Sequence, residues 1–149
     1  MNTRCLSVIA AAFFMAPAFA AEPATPAPPA AVAPAPVITQ SDLLARIEKQ
    51  DDSVVVLDVR TPQEFAAGHV PGARNISHDQ LAARLDELTG ARNKDVVLYC
   101  RSGRRSALAA ETLRGTGFTK LLQLQGDFPA WEAGKLPVEK TASESSPAR

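Results

Sequence analysis

Asp95-Val96-Val97-Leu98-Tyr99-Cys100-Arg101-Ser102-Gly103-Arg104-Arg105-Ser106 is the stretch whose reading decides the fold. Its first half is a short unbroken apolar run rich in β-branched residues. That is the pattern of a strand buried on both faces, and such strands belong to parallel sheets covered by helices on either side. The character changes at Cys100: Gly103 lets the chain curl, and Ser106 to Leu113 reads as a helix ending near Gly115 and Gly117. Strand, loop and helix in succession put Cys100 at the carboxyl end of a central strand. Ligand crevices of open α/β sheets lie there.

The flanking sequence repeats this alternation. Ser53-Val54-Val55-Val56-Leu57-Asp58 is a second buried strand, and Ala73-Arg74-Asn75-Ile76 and Leu121-Leu122-Gln123-Leu124 are shorter additional ones. Between them lie helices with identifiable ends. Ser41 is expected to cap a helix with Leu43, Leu44 and Ile47 on one stripe. Thr61 caps another, with Pro62 first, Glu64 third and Gly68 as its stop. Leu81, Leu85 and Leu88 recur at helical spacing within Ser77 to Leu88. The expected architecture is a single α/β domain: a central parallel sheet flanked by helices and joined by right-handed crossovers.

Composition sets the boundaries. Residues 1–20 read as a secretory signal peptide, with Arg4 in a short charged region, an apolar stretch from Leu6 to about Ala16, and small residues at Ala18 and Ala20. Pro17 interrupts the apolar stretch short of the roughly 20 residues that span a bilayer, so cleavage after Ala20 is expected rather than a retained anchor. Cys5 precedes the apolar stretch, unlike a lipoprotein attachment cysteine. Residues 21–37 are almost wholly Ala and Pro and form an expected semi-rigid linker. Residues 38–138 are the size of one small domain, and 139–149 read as a polar, frayed tail. No internal repeat is visible.

The full chain has 16 basic and 16 acidic residues, so losing Arg4 leaves the mature chain at −1. No field for nucleic acid or a membrane surface follows from that. Losing Cys5 leaves Cys100 unpaired, which in a periplasmic or secreted protein suggests a reactive thiol or an intermolecular bridge. The plainer alternative is a small buried core residue. The local sequence favours reactivity. Backbone N–H groups at a helix start and the guanidinium groups of Arg101, Arg104 and Arg105 should all stabilise a thiolate at Cys100.

Three segments resemble one known family. Asp58-Val59-Arg60-Thr61-Pro62-Gln63-Glu64-Phe65-Ala66-Ala67-Gly68-His69-Val70-Pro71-Gly72-Ala73 resembles the "DVR…EF..GH.PGA" segment of rhodanese-homology domains. Cys100 to Arg105 is similar to their six-residue active-site loop, and Gly126 to Trp131 to their closing "G…W" segment. The resemblance runs from about Ser41 to Leu136. The leader and the Cys-x-x-Gly-Arg-x-Ser loop look most like the small periplasmic, phage-shock-type members. What it implies is sulfur transfer. The Cys100 thiolate takes the outer sulfur of a donor such as thiosulfate, releases sulfite, and passes the sulfur to cyanide or a thiol, with a protein acceptor also open. The basic loop, Arg101, Ser102, Gly103, Arg104 and Arg105, would bind the anionic donor, and no metal or organic cofactor is needed.

Other positions carry over less directly. The family uses the equivalents of Asp58 and Arg60 to brace the active-site region, and capping or surface pairing is the alternative role. His69 sits in a turn where a structural role is expected rather than that of a general base. His78, separated from it, completes no metal site, and Trp131 reads as a core anchor. Two positions depart from the family pattern. Asp127 stands where the closing motif commonly has a second glycine. Ser102 stands where the larger two-domain thiosulfate enzymes carry lysine, so sulfur transfer is a firmer expectation than thiosulfate preference.

Three other classes compete. A phosphatase or arsenate reductase on this fold needs C-x5-R, but the required arginine would fall at position 106, which is Ser106. A non-catalytic binding module usually lacks the cysteine, and a sulfur-carrier or binding module without thiosulfate preference is a further alternative. A thiol oxidoreductase would want a second, resolving cysteine.

Overall fold

The computed structural model describes residues 34–141, which fall in one compact unit, Ala31–Arg149. The expected leader, most of the linker and residues 142–149 of the tail lie outside the described residues. Five parallel strands form the sheet: β1 (Val37–Ile38), β2 (Val54–Asp58), β3 (Arg74–Asn75), β4 (Asp95–Tyr99) and β5 (Leu121–Leu124), in the order β1-β5-β4-β2-β3. The two apolar runs are therefore adjacent at the centre, with Val54 opposite Asp95 and Asp58 opposite Tyr99.

Period-two alternation divides the core into two layers. On one face Leu57, Val59, Val96, Leu98 and Cys100 pack against α3 (Arg104–Gly115) and a 3-10 segment (Leu81–Ala91). On the other, Val56, Val97 and Tyr99 pack against α1 (Gln40–Glu48) and α4 (Asp127–Ala133) through Leu43, Phe128 and Trp131. Burial of both faces explains why β2 and β4 read as continuous apolar runs. Trp131 has no exposed surface and donates its indole N–H to the Pro137 carbonyl at 2.7 Å, the core anchor expected of it.

The helix starting at residue 62, α2 (Pro62–Ala67), has the expected end chemistry. Thr61 and Glu64 form a reciprocal capping box with Pro62 behind it. Elsewhere the boundaries differ. The cap of α1 is Thr39, whose Oγ accepts the Asp42 N–H at 3.1 Å, and Ser41 lies inside the first turn. Thr39 directly follows β1, so the chain turns into the helix two residues earlier than the Ser41 signal. The expected helix from Ser77 to Leu88 is instead the 3-10 segment, broken by non-helical geometry at Arg84. Ser77 does not cap it; its hydroxyl donates to the Arg60 carbonyl at 3.0 Å. Leu81 and Leu88 are still buried, so the apolar stripe is kept while the backbone winds more tightly.

Helix α3 begins at Arg104, not Ser106, which places Arg104 and Arg105 in its first turn. Two residues assigned to the linker also join the fold. Ala35 belongs to the core, and Val37 pairs with Gln123 in β1, itself too short to show a period. At the other end Glu139, expected in the tail, pairs with His69 through two backbone hydrogen bonds of 2.8 and 2.9 Å.

Candidate active site

Cys100 is the next inward position after Val96 and Leu98, so its side chain points toward the start of α3 and has no exposed surface. Gly103 adopts φ +80 and turns its N–H back onto the Cys100 Sγ at 3.2 Å. A Cβ there would lie 3.0 Å from Gln123 Nε2 and 3.3 Å from Asp127 Oδ2. Glycine is thus required by conformation and by space. Ser106, in the first turn of α3, donates to the Gly103 carbonyl at 2.9 Å and sits 3.7 Å from Sγ. The sulfur therefore faces a backbone N–H, a hydroxyl and the positive end of a twelve-residue helix.

The three loop arginines are not equivalent. Arg101 and Arg104 are exposed and form no ion pair among the described residues. Arg105 is held by Glu64 at 2.8 and 3.0 Å. The same Glu64 oxygen that takes the shorter bond accepts the Thr61 N–H, so one carboxylate closes the α2 cap and fixes the start of α3. The Arg105 hydrogen bond holds the Glu64 carboxyl at about 2, far below its ordinary 4.5; the Thr61 N–H helps, and partial burial opposes both.

Asp58 and Arg60 form a closed bracket. Asp58 has no exposed surface, and its oxygens take the Arg60 Nε at 3.0 Å and Nη2 at 2.6 Å. The guanidinium also donates to the Gly68 carbonyl at 2.7 Å and lies 3.9 Å over the Phe128 ring. Asn75 and Ser77 donate to the Arg60 carbonyl, each at 3.0 Å. The pair thus ties β2, the α2–β3 turn and α4 together behind the loop. Burial, and then the nearby Asp58 charge, pushes the Tyr99 hydroxyl well above its usual range; it remains a neutral acceptor for the Val70 N–H at 3.2 Å.

His69 is committed elsewhere. Its Nδ1 meets the Phe65 carbonyl at 2.8 Å, its ring stacks on Phe65 at 3.6 Å, and its Nε2 lies 3.7 Å from Glu139. That is structural use, as expected of the turn. His78 donates its backbone N–H to the Val59 carbonyl at 3.2 Å. No metal-binding cluster of His, Cys, Asp or Glu occurs among the described residues.

The sequence by itself does not assign two residues to the site. Glu64 reads there only as a cap. Asp127 departs from a glycine, and the structure gives the reason a glycine is common there: φ is +55. Aspartate tolerates the left-handed region better than most residues, and its Oδ1 accepts the Cys100 N–H at 2.8 Å. Beside the loop lies an open pocket of about 360 Å³, lined by Arg60, Gly68, Arg101, Phe128, Pro129 and Glu132 among others. Hollows of about 320 Å³ near Arg46 and Arg74 and about 400 Å³ near Val37 and Leu122 contain no loop residue.

Comparison with known proteins gives one consistent family. Residues 39–134 match the model of the rhodanese-like domain. A sulfurtransferase of Allochromatium vinosum is 36% identical over 101 residues, covering 68% of this chain and 92% of its own. The thiosulfate sulfurtransferase GlpE of Ectopseudomonas mendocina is 36% identical over 87 residues, 58% of this chain and 77% of that one. Other curated relatives are longer, and the chain spans 65%, 51% and 45% of three of them. Among solved structures, a rhodanese-related protein of Thermoplasma volcanium superposes with a TM-score of 0.61 at 29% identity, covering 71% of this chain and 99% of its own. A Rhodopseudomonas palustris protein described as a possible tyrosine phosphatase does so with 0.62 at 29%, covering 70% and 85%.

Proposed function

The chain belongs to the rhodanese-like domain family, whose members similar to it include sulfurtransferases, and we propose that it transfers sulfane sulfur through a persulfide on Cys100. The thiolate attacks the outer sulfur of thiosulfate or a related donor. The donor S–S bond breaks, its electron pair leaves with sulfite, and a new S–S bond forms on Cys100. Attack by cyanide or a thiol on the outer sulfur then regenerates the thiolate.

One observation carries this reading: the Gly103 N–H aimed at Sγ from the head of α3. An N–H and helix terminus in that position stabilise negative charge on sulfur in both the thiolate and the persulfide. Arg101 and Arg104 supply exposed positive charge for an arriving anion, and Ser102 lies between Arg101 and Gly103 on the exposed part of the loop. Asp58 and Arg60 support the loop from behind. Because Cys100 is fully covered, a donor reaches it only after a local rearrangement around the loop.

Phosphatase chemistry is the less favoured reading. The position that would need arginine is Ser106, and its hydroxyl is turned inward onto the Gly103 carbonyl. From the expected leader we infer a periplasmic or secreted mature protein, and protein recovered there should begin at Ala21. The deciding experiment is intact mass of the protein before and after thiosulfate or a thiosulfonate. One added sulfur atom that cyanide removes supports the reading, and no addition from thiosulfate or from a thiosulfonate refutes it.

A further inference from the structure

Asp127 is not required by the transfer step, yet it sits against the nucleophile. The residue is 5% exposed, Oδ1 accepts the Cys100 N–H at 2.8 Å, and Oδ2 lies on the side facing Gly103. Its φ of +55 is in the left-handed region, which aspartate tolerates better than most residues do. A carboxylate is thus fixed directly under a loop that must receive an anion.

The surrounding charges make that placement consequential. Glu64 pairs with Arg105, which also acts on Cys100, and Asp58 pairs with Arg60, so among the described residues Arg101 and Arg104 are the loop arginines without an ion-pair partner. Glu132 is exposed and lines the pocket together with Arg101. Arg101 and Arg104, without an ion-pair partner among the described residues, therefore stand against Asp127 and Glu132, and the mouth is near neutral where the sequence suggested a strongly basic one. Thiosulfate brings two negative charges to a thiolate that already carries one. A donor with a single charge meets much less repulsion.

We propose that Asp127 is a specificity-determining residue, biasing Cys100 toward singly charged sulfane-sulfur donors of the thiosulfonate type over dianionic thiosulfate. The inference rests on the sulfur-transfer reading and concerns only which donor it favours. With a thiosulfonate, the Cys100 thiolate bonds to the outer sulfur and the donor S–S bond breaks. Its electron pair leaves on a sulfinate, and Cys100 keeps the persulfide anion. Two negative charges stand on each side of that step, against three with thiosulfate.

The test compares thiosulfate with the methanethiosulfonate anion, using the full chain and the variants Asp127→Asn and Asp127→Gly. Asparagine keeps an acceptor for the Cys100 N–H, glycine suits the positive φ, and both remove the charge. Each should raise kcat/KM for thiosulfate relative to methanethiosulfonate by about tenfold, the scale of one unit charge at a partly buried site. An unchanged ratio, with both donors slowed alike, would mean that Asp127 only supports the loop and would overturn the proposal. A change in the glycine variant alone would assign the effect to the hydrogen bond and overturn it too. Sulfur gain on Cys100 with no change of ratio refutes the donor bias alone, whereas no sulfur gain with either donor refutes the transfer reading and the bias together.

Discussion

Glu64 grips Arg105 with both carboxylate oxygens, at 2.8 and 3.0 Å, and so joins the cap of one helix to the first turn of another across 41 residues of chain. The pairing makes Arg105 a fastening for the loop while its guanidinium still acts on Cys100.

That fastening is pH-dependent. Glu64 titrates at about 2 when folded against an ordinary 4.5, so its stabilisation is complete above pH 4.5 and is lost as pH falls toward 2. A fully buried pair with this difference would contribute about 3 kcal/mol. With Glu64 30% and Arg105 24% exposed, solvent screening reduces that to about 1–2 kcal/mol. Urea unfolding should show Glu64→Gln destabilised by that amount at pH 7 and by almost nothing near pH 2. Equal losses at both values would contradict this account.

Replacing Cys100 with serine should abolish sulfur uptake and turnover, since no other cysteine lies in the described residues. The hydroxyl fits the space beside Gly103 and Ser106, so the thermal midpoint should fall by only a few degrees, consistent with about 1 kcal/mol. Retained turnover would remove Cys100 from the reaction.

The arginines should separate by assay. Arg101→Gln and Arg104→Gln should each raise KM for thiosulfate by up to about tenfold with stability unchanged, because both side chains are exposed. Arg105→Gln should lower stability as Glu64→Gln does, with a smaller effect on KM. Three variants indistinguishable in both assays would show that the ion pair does not differentiate them.

Gly103→Ala meets strain from φ +80 and a contact of 3.0 Å with Gln123 Nε2. A loss of about 1–3 kcal/mol is expected, together with impaired sulfur uptake, because the N–H would leave Sγ. Partial recovery of stability in Gly103→Ala with Gln123→Ala would identify the contact's share. Full stability in the single variant would mean the turn tolerates a side chain.

The local signals in the chain were enough to determine the parallel α/β sheet, its two central strands, the capped α2 and the place of Cys100. Each depends on neighbours along the chain: unbroken β-branched runs for β2 and β4, and Thr61, Pro62 and Glu64 within one turn. Only the tertiary structure decided which charges act on the sulfur. Three nearby arginines read alike in sequence. Their difference arises because packing brings Glu64 to Arg105 and carries Asp127 to the Cys100 N–H across 27 residues. The same holds for β1, whose two residues are strand only by pairing with β5, and for the Ser77–Leu88 stripe, whose spacing specified a buried face but not the winding behind it. A periodic pattern reports which side of an element is buried. Partners and charge balance depend on distances between elements, and those exist only once the chain has folded.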